Sequence, residues 1–178
     1  MDPNDLDMLN FYRASELHGG LVLAHVSRRC RDGELQADLL QHAAEELEHA
    51  RLWTETILGL GGQPRPTRDT YQTRYARRIG RPIGMLPVLA LTQVFERRVY
   101  RHFLTHLRHP DAHPLVRATL RRMVDEEVGH LAWVRRWLDA EAERRGDVVT
   151  RLLREYTRID SVVYRELLHE YGGRRRAA

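Results

Sequence analysis

Two stretches of this chain set a carboxylate three residues ahead of an imidazole: Glu46-Leu47-Glu48-His49 and Glu127-Val128-Gly129-His130. On a helix, positions three apart share a face, so each Glu and its His point the same way. Adjacent carboxylate oxygen and imidazole nitrogen are ligands for a first-row divalent metal. Two further glutamates extend the pattern. Glu16 interrupts the apolar stripe Leu6, Leu9, Tyr12, Gly20, Leu23, Val26 and Cys30, and Glu96 interrupts Leu89, Gln93, Tyr100, Phe103 and Leu107. A charge inside such a stripe is costly unless it is paired or holds a metal. The partner stripes are Leu35, Leu39, His42, Glu46, His49, Trp53, Ile57 and Val116, Leu120, Met123, Glu127, His130, Val134, Trp137.

These stripes predict helices over about 4–32, 34–59, 83–108 and 115–145, a fifth helix over about 148–171 and a basic tail over 172–178. Asp32-Gly33 and the run from His109 to Pro114 read as turns, and Gly146 as the cap between the last two helices. Glu16 and Glu46 are 30 residues apart, Glu96 and Glu127 are 31 apart, and the midpoint of each pair falls in or beside a turn. Two antiparallel hairpins would therefore each set a Glu level with a Glu-x-x-His. Stacking the hairpins gathers four carboxylates and two imidazoles, the ligand set of a dinuclear carboxylate site. Without metal, four buried carboxylates would repel one another.

The pattern Glu16, Glu46-x-x-His49, Glu96, Glu127-x-x-His130 resembles the ferritin-like di-iron carboxylate proteins, above all the rubrerythrin-like and ferritin-like hydroxylase branches. The resemblance covers roughly residues 4–145. It implies one all-α domain: a four-helix bundle of two hairpins joined by a long crossover, with the fifth helix added. It implies two iron ions, or an Fe/Mn pair. Glu46 and Glu127 would bridge them, Glu16 and Glu96 would be terminal ligands, and His49 and His130 would give one nitrogen per metal. The activity implied is redox chemistry with O2 or peroxide, fed by an external electron donor, with a small organic molecule as one candidate substrate. Ferroxidase and iron storage, or hydroxylation of tRNA, are alternatives within the same resemblance. The chain lacks the four-cysteine iron site that rubrerythrins carry, and the residue before each ligand Glu is Glu45 or Glu126 where the multicomponent oxygenases usually have Asp in the second motif.

Around the ligands, Tyr12 and Tyr100 each lie one turn from a terminal glutamate and are candidates to hydrogen-bond ligands or carry oxidising equivalents. His42, one turn before Glu46, reads as a satisfied core residue, a partner of a ligand or an extra ligand; Gln93, before Glu96, reads similarly. Gly19-Gly20 suits either close helix packing or a small cavity. The three tryptophans, Trp53, Trp133 and Trp137, read as packing.

Composition limits the rest. A single cysteine, Cys30, excludes a disulfide framework and a cysteine-based metal site within one chain. With a polar N-terminus and no long apolar run, the reading is a cytoplasmic protein without a membrane span. The formal charge is +4, and all 29 strong bases are arginine. Six of them surround Tyr71 and Tyr75 between residues 61 and 82, the segment read as the one long irregular connection. That segment and Arg174, Arg175 and Arg176 make nucleic acid a weakly motivated partner. A homodimer is compatible with the sequence.

Overall fold

The computed structural model describes residues 3–80 and 82–172. Among them every regular element is helical: α1 (Pro3–Ser27), α2 (Gly33–Gly59), α3 (Tyr71–Ile79), α4 (Met85–Leu107) and α5 (Pro114–Gly172). The all-α expectation therefore holds. No helix among the described residues is long and apolar enough to cross a membrane. Arg81 and the basic run from Arg174 to Arg176 lie outside the described residues. The chain forms two compact units, one of Met1–Arg74 with Arg165–Ala178, the other of Tyr75–Tyr164.

In the first unit α1 and α2 pack as an antiparallel hairpin. The Gln36 amide donates to the Ser27 carbonyl at 3.0 Å, Gly20 abuts Ala43 and Leu47, Glu16 meets His49, and the Tyr12 ring packs on Trp53. Each step up one helix is matched by a step down the other. Gly20 permits this closeness: a Cβ there would lie 2.9 Å from the Ala43 carbonyl oxygen. Leu9, Phe11, Leu23, Leu39 and Ile57 fill the core of the hairpin.

The turn differs from the sequence reading. α1 stops at Ser27, not near residue 32, because the Arg29 and Cys30 amides bond three residues back, to Val26 and Ser27. Such three-residue bonds tighten and end a helix. Val26 and Cys30 keep the apolar spacing, but the Cys30 thiol turns to the Asp32 carbonyl at 3.3 Å. Asp32 then caps α2, its Oδ1 accepting the Glu34 and Leu35 amides at 3.0 and 3.1 Å. At the far end Gly61, at φ +74°, closes α2. Its amide bonds to Leu58 O and that of Gly62 to Ile57 O, the Schellman arrangement.

The segment after α2 is not wholly irregular, since it contains α3. Thr70 and Thr73 cap its start reciprocally, each side-chain oxygen accepting the other's amide, at 2.8 and 3.2 Å. Gly80, at φ +71°, ends it with an amide bond to Ala76 O. The segment runs along α1. Asn10 Oδ1 accepts the Arg65 amide at 2.7 Å, Ser15 Oγ accepts that of Tyr71, the Gln72 side chain donates to Ser15 O at 3.0 Å, and His18 meets Thr70 Oγ1 at 2.9 Å. Arg74, buried beneath Phe11, pairs with Asp69 and with Glu170 near the end of α5.

In the second unit the turn between α4 and α5 falls where the sequence places it. Arg117 holds it by fanning its guanidinium over the carbonyls of Leu107, His109, Pro110 and Ala112 at 3.1–3.3 Å. The break between the expected fourth and fifth helices is real but lies at Arg145, with φ −154° and ψ 51°. Gly146 does not take the left-handed conformation of a cap. The buried Glu141 gathers Arg144 and Arg145 at this break. Beyond it, Asp160 is buried and held by Tyr75 at 2.6 Å and by a two-pronged contact from Arg98, whose guanidinium also stacks 4.1 Å from the Tyr164 ring centre. Leu89, Phe103, Leu120, Met123, Val134 and Leu138 line the interior. Tyr100, Leu107 and Trp137, placed inward by the stripes, are only half-buried, with Trp133 and Leu138 taking the inner positions.

Candidate metal centre

Each unit carries a buried set of carboxylates and imidazoles. In the first, α1 supplies Glu16 and α2 supplies His42, Glu46 and His49; in the second, α4 supplies Glu96 and α5 supplies Glu127 and His130. All seven residues are 0–2% exposed. The helices fix this placement, since residues 42, 46 and 49 and residues 127 and 130 fall on one face of their helices.

In the first set, His49 Nδ1 lies 3.8 Å from Glu16 Oε2 and 3.9 Å from Glu46 Oε1, while His42 Nε2 lies 3.3 Å from Glu46 Oε1. Glu16, Glu46 and His49 each offer a ligand atom within 4.8 Å of the others. In the second set, His130 Nδ1 lies 3.4 Å from Glu127 Oε2, and ligand atoms of Glu96 and His130 are within 4.8 Å. Metal–donor bonds of roughly 2.1 Å put donors at right angles about 3.0 Å apart and opposed donors about 4.2 Å apart. The observed separations of 3.3–3.9 Å fall in that window.

The residues present fit a metal. Glu16 Oε2 is buried and accepts no hydrogen bond. A buried carboxylate oxygen left so is expensive, and a cation removes the cost. Among the described residues, the buried Glu/His groups able to hold a metal ion are drawn from Glu16, His42, Glu46, His49, Glu96, Glu127 and His130. An oxygen-rich set with a minority of imidazole nitrogens and no thiolate is a donor set for a divalent metal ion.

Compared with family models, curated proteins and solved structures, the chain matches none. The case for the site rests on its own residues.

The surroundings sharpen several readings. Gly19 faces the Glu46 carboxylate: a Cβ there would lie 2.8 Å from Glu46 Oε2 and 3.3 Å from Gln72 Nε2. The two adjacent glycines thus divide the alternatives, Gly20 serving helix packing and Gly19 leaving room for a carboxylate. Gln72 was invisible to the sequence reading, because its neighbourhood shows no apolar period long enough to place a helix. Gln93 is buried one turn before Glu96, with its Oε1 accepting no hydrogen bond. Tyr12 is buried, its ring centre 5.2 Å from that of Trp53, whereas Tyr100 is half-buried. Tyr71 and Tyr75 are buried, so neither ring is presented on the surface of the Arg-rich connection.

Proposed function

We propose that this chain is a dinuclear non-haem metal oxidoreductase of the ferritin-like kind, using two iron ions or an Fe/Mn pair to react with O2 or peroxide. Glu16, Glu46 and His49 of one unit and Glu96, Glu127 and His130 of the other would hold the ions, the carboxylates balancing their charge and each imidazole adding a nitrogen donor. The observation that carries this reading is the duplication: each unit buries a Glu from one helix beside a Glu-x-x-His from another. Four such carboxylates balance two divalent ions, whereas without cations their burial only destabilises the fold.

When bound, such a pair supplies the electrons that reduce the oxidant, and an external donor restores them. The chain's own part is to bind, orient and keep dry. Ligands this deeply buried exclude bulk water, and the oxidant that reacts there would be small, as O2 and peroxide are. Tyr12, one turn before Glu16 and with its ring against Trp53, would hold a proton or pass an oxidising equivalent, as would Tyr100, one turn after Glu96. The buried Tyr71 and Tyr75 give no support to base stacking, so the tRNA reading draws less from the structure than the small-oxidant reading.

The test is anaerobic loading of the purified chain with Fe(II), counting bound metal, followed by O2 with absorption recorded. About two ions per chain and a new oxo-bridged ferric band are expected. Retention of no metal, or iron that O2 leaves unchanged, overturns the reading. Native mass in the same preparation separates a small oxidoreductase from a many-subunit storage shell.

A further inference from the structure

His42, Glu46 and His49 follow one another on α2 at spacings of four and three, all facing inward and all buried. Glu46 and His49 belong to the duplicated pattern, but His42 does not. The corresponding position on α5, four residues before Glu127, is Met123, which is fully buried. The two half-sites therefore repeat in their carboxylates and in one imidazole, and differ in a second imidazole present only in the first.

That imidazole is close enough to bind. His42 Nε2 is 3.3 Å from Glu46 Oε1, nearer the right-angle donor spacing of about 3.0 Å than the His49 contact of 3.9 Å to the same oxygen. Its residue is among those able to hold a metal. Room exists for Glu46 to serve it, because Gly19 leaves the other carboxylate oxygen space that any side chain would fill.

We propose that His42 is a third nitrogen ligand, so that the two ions of the pair are inequivalent; this rests on the dinuclear reading above. A neutral imidazole adds a donor without adding charge, and imidazole is a good ligand for first-row divalent ions, so a position with one donor more binds its ion more tightly. One ion is then held more firmly than the other, and the pair fills in two distinguishable steps.

Anaerobic calorimetric titration of the metal-free full chain with Co(II), recorded together with its ligand-field absorption, tests this. The unmodified chain should show two steps differing tenfold or more in affinity. His42→Met, which copies the other half-site, and His42→Gln, which keeps hydrogen-bonding capacity, should each weaken one step tenfold or more, leave the other unchanged and shift the Co(II) spectrum. Circular dichroism of the metal-free variants confirms helix content, and if the Met variant does not fold, the Gln variant carries the comparison. Wild-type steps and spectrum in both variants overturn the proposal, as does a Gln variant that behaves as wild type while Met does not, since His42 would then act only by hydrogen bonding to Glu46. An unmodified chain that takes up no Co(II) overturns the dinuclear reading itself.

Discussion

Glu16 shows what one charged side chain reveals in an otherwise apolar stripe. Its position on the inner face was legible because a carboxylate there has few explanations, and the structure buries it with one oxygen accepting no hydrogen bond. If it stores repulsion until a cation arrives, Glu16→Gln should stabilise the metal-free chain by about 1–3 kcal/mol in urea melts. The same variant should lose most of the stabilisation that Fe(II) or Mn(II) confers. Gly19 was legible only as one of two glycines, since the sequence does not say which faces the carboxylate. Gly19→Ala should weaken metal binding roughly tenfold by displacing the flexible Glu46 side chain, with a modest loss of stability. Gly20→Ala meets the rigid Ala43 carbonyl, and should cost about 1–3 kcal/mol of stability by forcing α1 and α2 apart. Denaturant melts and metal titrations of the two variants side by side check both outcomes.

Among the elements, the long helices bearing ligands were readable because an amphipathic stripe over six or seven turns leaves little choice of period. Their ends were less so. The stop at Ser27 depends on bonds between the backbone amides of Arg29 and Cys30 and the carbonyls of Val26 and Ser27, and apolar spacing carries no trace of those. The nine-residue α3 was missed because Pro64, Pro66, Gly80 and Pro82 crowd its flanks and its inner face is only Tyr71, Arg74 and Tyr75. Its start depends on the Thr70–Thr73 pair. Thr70→Ala removes one half of that cap and the contact to His18, and should cost about 1 kcal/mol. Hydrogen exchange should then quicken across residues 71–79 while α2 keeps its protection.

For the molecule as a whole, one titrating group should subtract stability in acid. Burial, then the nearby charges of His106 and Arg98, push the His102 imidazole down to about 4, and its ring lies edge-on to Tyr164. The unfolded chain takes that proton near 6.5. Between those values the unfolded state binds more protons, so stability falls as pH drops from about 6.5 to 4 and is level above. The total loss from this one group amounts to at most about 3–4 kcal/mol, and His102→Gln should flatten that part of a pH series of urea melts. The Arg74–Glu170 pair has a different reach. It joins residues 96 positions apart within one unit. At roughly 5–20 residues per second of synthesis, about 5–20 s separate the appearance of its two ends. The N-terminal hairpin must wait through that interval with Arg74 lacking its later partner, so this unit is completed only as the last turns of α5 leave the ribosome, after the whole of the intervening unit has been made.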